Sequence, residues 1–372
     1  MKIAQVVTYL SPDGAFGGPT RVAEAQCAAL AEQGHEVQLF AAAPIDAPAE
    51  TLVDGYRLRL FPARRLSSRL GFAGMRAVGL TPALRREAPF LDVAHVHLAR
   101  DLVTLPAARA LKRTGVPYVV QPHGMIDASD RVLAGPVDAL WTRSALREAE
   151  RVLTLTSQED DDMASIEPRA QVSRIRNGIR VETPPAYEGR EQIVLFLARL
   201  HPRKRPVAFV EMAALVSARC PEARFVLAGP DEGELAAARQ AVDRLGLAAV
   251  VEIHGAVSPD QTDALLRSAG VYVLPSVGEV FPMTVLEAFR AGTPVVVTDS
   301  LGISDDCREY EAAIVTDGSV PSLADAVASV LNERDQALVL RSGALDYLRE
   351  RLDISSVALS LSALYEGAAE RG

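Results

Sequence analysis

The chain is poor in cysteine, because its 372 residues include only Cys27, Cys220 and Cys307, which lie far apart. This spacing supplies neither the close cysteine pairs of a zinc site nor a disulfide framework, and it is typical of a reducing cytoplasm. The sequence has no apolar run near the ~20 residues that a membrane-spanning helix needs. Its first residues turn polar too early for a signal-peptide core. These absences predict a cytoplasmic protein.

Lysine is also scarce, since only Lys2, Lys112 and Lys204 occur among the 39 basic residues. A lysine in a functional context is therefore informative in this chain. The net charge of −9 disfavours a nucleic-acid-binding protein. A composition of 49% hydrophobic and 23% charged residues excludes a disordered chain. The length suits two domains of roughly 100–200 residues each.

The glycine-rich loop Gly14–Pro19 lacks the G-x-G-x-x-G pattern of dinucleotide-binding proteins. The next predicted strand, Val37–Phe40, is not followed by the acidic residue that would hold an adenosine ribose. Both absences disfavour an NAD-dependent enzyme. Gly17 and Gly18 would instead let the backbone approach a substrate closely, unless the loop is only a tight turn.

Short β-rich runs alternate with helical spacings, which predicts parallel sheets covered by helices on both faces. The strands predicted for the first half are Ile3–Tyr9, Val37–Phe40, Val93–His97, Tyr118–Val120 and Val152–Leu155. Those predicted for the second half are Ile193–Leu197, Arg224–Ala228, Val250–His254, Val271–Leu274, Pro294–Thr298 and Ala313–Val315. The sequence therefore predicts two doubly wound α/β domains, 1–184 and 185–354, followed by a helix within 355–372. A ligand is expected in the cleft between them.

Two glutamates flank a predicted helix start. Glu279 lies in the loop after the strand that ends at Leu274, and Pro282 suits the first position of the helix that contains Glu287. The amides at the start of this helix could bind an anion, helped by the helix dipole. One carboxylate could then lie beside the scissile bond of a bound phosphate, and the other farther along the ligand. The alternative is a solvated glutamate and a helix-surface glutamate.

A pair of cations follows the first strand of the second domain, with Arg199 at the strand end and Lys204 on the next loop. Cations in these places can clamp a diphosphate. Lys204 strengthens this hypothesis, because the chain uses arginine almost everywhere else. An ordinary basic surface turn is the alternative.

A histidine also follows a strand end: His123, next to Gly124, comes directly after Tyr118–Val120 and is expected to face the cleft, unless it is structural. His95 and His97 are interpreted as structural. The acidic run at 159–162 is interpreted as the first turn of a helix capped by Ser157. No metal site and no Ser-His-Asp arrangement is predicted.

Together these motifs resemble the retaining glycosyltransferases of family 4, bacterial group 1 enzymes with the GT-B fold of two Rossmann-like domains. The hallmark is the pair Glu279 and Glu287 with Phe281-Pro282 between them. Further matches are Gly17-Gly18, Ala29–Val37, His123-Gly124, Arg176–Ile179, Arg199, Lys204 and Leu227–Pro230. The version Pro122–Met125 resembles the exopolysaccharide and lipid-linked oligosaccharide subgroup. The chain departs from the family pattern at Ala198, Arg205 and Ile303-Ser304, where glycines are common.

The resemblance implies transfer of a hexose-type sugar from a nucleotide-diphosphate sugar to an acceptor hydroxyl, with retention, in polysaccharide or glycolipid biosynthesis. UDP-sugars are the favoured donors and GDP-sugars the next, with no cofactor and no metal. The first domain would bind a saccharide or lipid-linked acceptor near Gly17 and Gly18, and the second would bind the donor. The last helix would cross back onto the first domain.

The same resemblance implies roles for individual residues. Arg199 and Lys204 would neutralise the departing diphosphate, while Glu279 and His123 would contact the transferred sugar. Glu287 would hydrogen-bond the donor ribose. The other implied donor-binding positions are Phe281, Pro282, Met283, Thr284, Gly229 and His254.

Two rival hypotheses are a nucleotide-sugar epimerase on the same scaffold and a non-catalytic sugar-binding or regulatory protein. An epimerase would interconvert sugars without any acceptor. A non-catalytic binder would not need to retain the cations that neutralise a leaving group.

Residues 56–115 hold 12 basic and three acidic residues, a local net charge of +9. In part of this segment arginines alternate with large apolar residues, as in an element at a membrane interface. The arginines are Arg64, Arg65, Arg69, Arg76, Arg85 and Arg86, and the apolar residues are Leu66, Leu70, Phe72, Met75, Leu80 and Leu84. The pattern predicts peripheral binding to the anionic inner membrane face. The alternative is an arginine-rich surface whose apolar residues face the core.

Overall fold

A computed structural model of the protein describes residues 1–11, 17–66, 73–127, 134–184 and 190–371. The described chain divides into two compact units. The first contains the residues up to Gly178 and those from Ile354 onward, and the second is Ile179–Asp353. The boundary precedes the sequence-based one at 184, because Ile179 already donates a backbone hydrogen bond to Leu352 of the second unit.

The first unit is built on a sheet of nine strands among the residues described. They are β1 (Lys2–Tyr9), β2 (Glu36–Ala43), β3 (Glu50–Val53), β4 (Tyr56–Arg65), β5 (Met75–Ala77), β6 (Val93–His97), β7 (Tyr118–Gln121), β8 (Arg151–Thr154) and β9 (Val172–Arg174). The order is β3-β4-β2-β1-β6-β7-β8-β9, with β5 paired to β4. The strands are parallel except β3 and β5, which run antiparallel to β4. The chain order reverses between β1 and β6.

Helices cover the first sheet. They are α1 (Gly17–Glu32), α2 (Leu80–Glu87), α3 (Thr104–Thr114), α4 (Ala134–Val137), α5 (Arg143–Glu148) and α6 (Ser157–Ile166). The central strands are buried on both faces, and therefore they read as nearly continuous apolar runs.

The second unit has six parallel strands in the described residues: β10 (Ile193–Leu197), β11 (Arg224–Ala228), β12 (Val251–Ile253), β13 (Val271–Leu274), β14 (Val295–Thr298) and β15 (Ile314–Thr316). The order β12-β11-β10-β13-β14-β15 is that of a Rossmann sheet. All six strands point the same way, but the side on which the chain adds successive strands changes between β10 and β13. Ligands of such sheets bind beyond the carboxyl ends of the strands at this reversal.

Seven helices pack on this sheet in the described residues: α7 (Pro206–Ser217), α8 (Leu235–Leu245), α9 (Pro259–Ser268), α10 (Met283–Arg290), α11 (Ser304–Glu309), α12 (Val320–Asn332) and α13 (Arg334–Tyr347). Separate buried clusters form the two faces. Phe196, Phe209 and Phe225 belong to one face, whereas Tyr272 and Phe289 belong to the other.

The C-terminal helix α14 (Ile354–Ala369) is part of the first unit. It packs along α1 through buried side chains that include Leu361 and Tyr365. A Cβ atom at Gly178 would lie 2.8 Å from the Ile354 Cα, so this glycine allows the start of the helix to pack closely.

The predicted fold class, two doubly wound α/β domains, is confirmed. The predicted strand positions agree with the observed ones to within a few residues. The prediction overlooked β3–β5 and β9. None of the helices in the described ranges is long and apolar enough to cross a bilayer.

Part of the membrane hypothesis is wrong at the level of side chains. Met75, Leu80 and Leu84 are buried in the core of the first unit, so they do not face a lipid surface. Leu66 is 63% exposed. Arg69, Leu70 and Phe72 lie outside the described residues.

Candidate active site

An ion pair lies at the reversal point of the second sheet. Lys204 Nζ is 2.8 Å from Glu279 Oε2, and both side chains are largely buried. Burial lowers the pKa of Lys204, whereas the neighbouring Glu279 carboxylate opposes that shift. The pair therefore brings together two residues that the sequence assigned to separate motifs.

Backbone contacts join the loops that carry this pair. Lys204 closes a short 3-10 turn, Pro202–Lys204, after β10. Val277 donates a backbone hydrogen bond to Arg203 O at 2.9 Å, and the Arg203 guanidinium donates to Gly278 O. Arg205 adopts a left-handed φ of 55°, a conformation that is uncommon for a residue with a side chain. The Arg205 guanidinium donates to Gly318 O at 2.8 Å, which fixes the end of the turn.

The helix that contains Glu287 starts one residue later than predicted. Pro282 is extended and precedes the helix, so Met283 is its first residue. Thr284 Oγ1 accepts a hydrogen bond from the buried Tyr272 hydroxyl at 2.9 Å, which ties the helix start to β13. Glu287 lies one turn inside the helix and is buried. Helix starts of this kind attract anions.

Arg199 has an acidic partner that the sequence analysis did not identify. Its Nη1 is 2.8 Å from both carboxylate oxygens of Glu232, which lies in the loop after β11. Gly229 in the same loop has no room for a side chain, because a Cβ there would lie 1.9 Å from Ala198 O. Gly229 thus allows the loop after β11 to pack on the backbone beside Arg199.

The remaining predicted donor-binding residues differ in their surroundings. Phe281 and Met283 are partly buried against the core face that contains Tyr272. His254 follows β12 and contacts Glu252 at 3.2 Å.

In the first unit, His123 follows β7 in a backbone conformation that is rare for a residue with a side chain. His123 has a φ of 54° and Gly124 a φ of 70°. A conformation of this kind costs about 1–3 kcal/mol and persists only where neighbouring contacts hold it. Met125 N donates to Pro122 O at 2.9 Å, which closes the turn.

Glu159 provides a further contact to the His123 turn. Its fully buried carboxylate accepts hydrogen bonds from Gly124 N and from Leu155 N. Burial raises the pKa of Glu159, while these two backbone donors oppose the shift. The interpretation of 159–162 as the acidic first turn of a helix is confirmed for Glu159 and Asp160, but it did not predict that the Glu159 carboxylate holds the backbone of the His123 turn. The predicted cap is wrong, since Thr156, not Ser157, precedes α6 and accepts from Glu159 N.

Three histidine rings stack beside this turn. His97 lies between His95 and His123, with ring centroids 4.4 and 5.0 Å away. His97 Nδ1 is 2.7 Å from His123 Nε2, so His97 contacts the candidate residue directly. Burial lowers the pKa of His97, and it lowers the pKa values of His95 and His123 to about 3. The three rings are neutral at physiological pH.

The two glycines near the N-terminus are helical. Gly17 and Gly18 form the first turn of α1, and residues 14–16 of the predicted loop lie outside the described residues. A Cβ at Gly18 would meet nothing within 4 Å. Packing inside the protein therefore does not explain why a glycine occupies this position.

The described part of the chain contains no group of three or more His, Cys, Asp or Glu side chains arranged to hold a metal ion. The positively charged side chains that act on Lys204 are those of Arg199 and Arg203.

Two family models match the two halves of the chain. The model for group 1 glycosyl transferases matches residues 183–345, and that for the glycosyl transferase 4-like domain matches 17–178. A D-inositol 3-phosphate glycosyltransferase of Thermobispora bispora is 26% identical, over 100% of this chain and 95% of that protein. One from Rhodococcus jostii is 26% identical, over 85% of this chain and 77% of that protein.

Solved structures share the fold. Sucrose-phosphate synthase from Thermosynechococcus elongatus superposes with a TM-score of 0.79 at 17% identity, covering 100% of both chains. The Anabaena HepE protein in complex with UDP-glucose has a TM-score of 0.75 at 18% identity, covering 99% of this chain and 100% of that one. With both halves matched by family models, the chain belongs to the group 1 glycosyltransferases of the family 4 type, which have the GT-B fold.

Proposed function

We propose that the protein transfers a hexose-type sugar from a nucleotide-diphosphate sugar to an acceptor hydroxyl and retains the anomeric configuration. The observation that carries the proposal is the Lys204–Glu279 pair at the reversal point of a Rossmann sheet. A cation beside a helix start suits a departing diphosphate, and a carboxylate beside the cation suits a sugar that develops positive charge.

In this proposal the leaving group is neutralised by Lys204 and Arg199, together with the amides at the start of α10. The acceptor oxygen attacks the anomeric carbon from the face that the diphosphate leaves. The new C–O bond forms as the bond to the phosphate oxygen breaks, and that oxygen takes the acceptor proton. No metal is required for this step, because the cations and the helix supply the positive charge.

The other assignments in this proposal come from the resemblance to family 4. The buried Glu287 carboxylate accepts hydrogen bonds from the ribose hydroxyls. Glu279 and His123 contact hydroxyls of the transferred sugar. UDP-sugars are the favoured donors and GDP-sugars the next. A solved relative of the same fold, HepE, was crystallised with UDP-glucose.

Thermal-shift measurements with UDP, GDP, dTDP and ADP test donor binding. A ligand at 100-fold its dissociation constant adds about 2.7 kcal/mol to the free energy of unfolding. Stabilisation by a nucleoside diphosphate that persists in EDTA supports the proposal. Stabilisation by none of the four contradicts it.

Product analysis then separates transfer from the rival activity. Incubating the protein with the donor alone would convert the sugar if the protein were an epimerase. NMR spectroscopy of the product with an acceptor reports the anomeric configuration, and inversion contradicts the retaining mechanism.

We further propose that the acceptor is lipid-linked and that the first unit docks on an anionic membrane surface. Among the described arginines of the basic segment, Arg64, Arg65, Arg76, Arg85 and Arg86 are exposed. Each basic residue near such a surface contributes about 1 kcal/mol. Because Met75, Leu80 and Leu84 are buried, these three side chains take no part in the docking, which we propose is driven by the exposed arginines.

A further inference from the structure

The rings of His97 and His123 belong to a longer chain of hydrogen-bonding groups inside the first unit. His97 Nε2 lies 2.9 Å from Gln5 Oε1, and Gln5 Nε2 lies 3.5 Å from the Tyr365 hydroxyl. The same hydroxyl lies 2.7 Å from His95 Nδ1. His95, His97, Gln5 and Tyr365 are all buried.

The donors and acceptors of this chain depend on one another. An amide oxygen only accepts, so Gln5 Oε1 requires the proton of His97 to reside on Nε2. Since His97 is neutral, its Nδ1 is then a bare acceptor. His123 Nε2, 2.7 Å away, must donate to it. Because His123 is neutral as well, its own Nδ1 carries no proton.

We propose that His97, held by Gln5, is a positioning residue that keeps His123 as the tautomer protonated on Nε2, so that Nδ1 acts as a hydrogen-bond acceptor. The inference rests on the proposed function in one respect, which is that the group that Nδ1 accepts from is a hydroxyl of the transferred sugar. Glu159 fixes the backbone of the same turn, whereas His97 fixes the ring.

The opposite orientation of the Gln5 amide would reverse every donor in the chain. Gln5 Nε2 would donate to His97, His97 Nδ1 would donate to His123, and the proton of His123 would move to Nδ1. His123 would then be a donor to the sugar. The two arrangements are distinguishable because they place the His123 proton on different nitrogen atoms.

The test is a two-bond ¹H–¹⁵N correlation spectrum of the full chain with ¹⁵N-labelled histidine, which distinguishes protonated from bare ring nitrogens. His123→Gln identifies the His123 signals by their loss, and His35→Gln is the control outside the chain of rings. We expect a protonated Nε2 and a bare Nδ1 in His123. A proton on Nδ1 overturns the proposal.

Variants of the neighbours add a second readout. His97→Leu removes the acceptor, and we expect His123 to show both tautomers. His97→Asn keeps an acceptor oxygen near the place of Nδ1, and we expect the wild-type pattern. A single Nε2 tautomer in His97→Leu overturns the role of His97. If that variant does not fold, Gln5→Leu tests the same coupling, with the same two outcomes.

Kinetics connect the tautomer with the reaction. With both tautomers populated, only part of the protein holds the competent one, so we expect kcat of His97→Leu to fall in proportion to the measured fraction of the tautomer protonated on Nε2, with an unchanged KM for the donor and recovery in His97→Asn. An unchanged kcat in a His97→Leu variant that shows mixed tautomers refutes the positioning role. If the His123 spectrum is as expected but the protein turns over no nucleotide sugar, the proposed function is refuted and the assignment of the tautomer is not.

Discussion

Lys204 retains its positive charge in a largely buried place because Glu279 lies beside it. Burial already lowers the pKa of Lys204, so removing the carboxylate lowers it further. An activity that needs the ammonium falls as pH rises through this pKa. We therefore expect the alkaline limb of the kcat profile to move to lower pH in Glu279→Gln. The exposed Glu211→Gln variant is the control, and a limb that stays in place contradicts the coupling.

The charge of Lys204 acts on the leaving diphosphate. Removing one group that stabilises the transition-state charge typically costs about 10²–10³-fold in kcat, and we expect this loss in Lys204→Ala, with a smaller change in donor affinity. Lys204→Arg is impaired as well, because a planar guanidinium does not replace a point charge at close range. Arg219→Ala removes an exposed cation of the same unit and serves as the control. An unchanged kcat in Lys204→Ala removes the residue from the mechanism.

A substitution at Gly18 distinguishes a role in packing from a role in substrate binding. A Cβ at this position meets nothing within 4 Å, and alanine favours a helix over glycine by about 1 kcal/mol. We expect Gly18→Ala to unfold at the same or a higher temperature and yet to lose activity, since the backbone there approaches a substrate. Calorimetric melting and a transfer assay measure the two effects. Full activity in the variant shows that no substrate approaches this glycine.

Individual functional residues could be predicted from the sequence where they belong to a motif. Lys204 and Glu279 were both identified from the sequence, but their ion pair was not, because it depends on how the loops after β10 and β13 pack. The same holds for Glu232 beside Arg199, since nothing in its local sequence marks a partner.

At the scale of elements, α6 and the turn after β7 act together through Glu159. The Glu159 carboxylate accepts from two backbone donors, and a glutamine offers one acceptor oxygen and an amide donor in its place. We therefore expect Glu159→Gln to speed hydrogen exchange at Gly124 or Leu155 and to lower kcat without changing the nucleotide affinity. The exposed Gln158→Ala variant, next to it in sequence, is the control. Unaltered exchange at both amides contradicts the role of Glu159 in holding the turn.

The central parallel strands were predictable as elements because they are buried on both faces and read as apolar runs, whereas the short strand β9, whose residues are not buried, was missed. The strands β3–β5 were not predictable, because polar and apolar residues alternate along β4 in a pattern that also suits an interfacial segment. Burial of Met75 on β5, which no local pattern shows, assigns this residue to the core of the first unit.

For the whole molecule, charge is unevenly distributed, and this makes membrane binding testable. The net charge is −9 although residues 56–115 carry a surplus of cations. We expect the protein to cosediment with anionic vesicles at low salt, and not with neutral vesicles or at high salt. A variant with Arg64, Arg65, Arg85 and Arg86 replaced by serine is expected to remain in solution. Binding that is indifferent to lipid charge and salt contradicts electrostatic docking.

The two-domain plan followed from the alternation of strands and helices, whereas the strand order did not. Only the structure shows that the chain order in the second sheet reverses between β10 and β13. This reversal explains why three residues far apart in sequence follow the carboxyl ends of two neighbouring strands. They are Arg199 and Lys204 after β10 and Glu279 after β13.

The most direct test of the account is calorimetric titration of the free nucleoside diphosphate selected by thermal shift. A hydrogen bond to a charged group contributes about 1.5–3 kcal/mol, which corresponds to roughly a 10–100-fold change in affinity. We predict that the wild-type protein binds the nucleotide and that Glu287→Gln binds it more weakly by that factor. The control Glu211→Gln is predicted to match the wild type. Absence of binding to the wild type, or equal affinity in Glu287→Gln, would contradict the assignment of the donor site to the second unit.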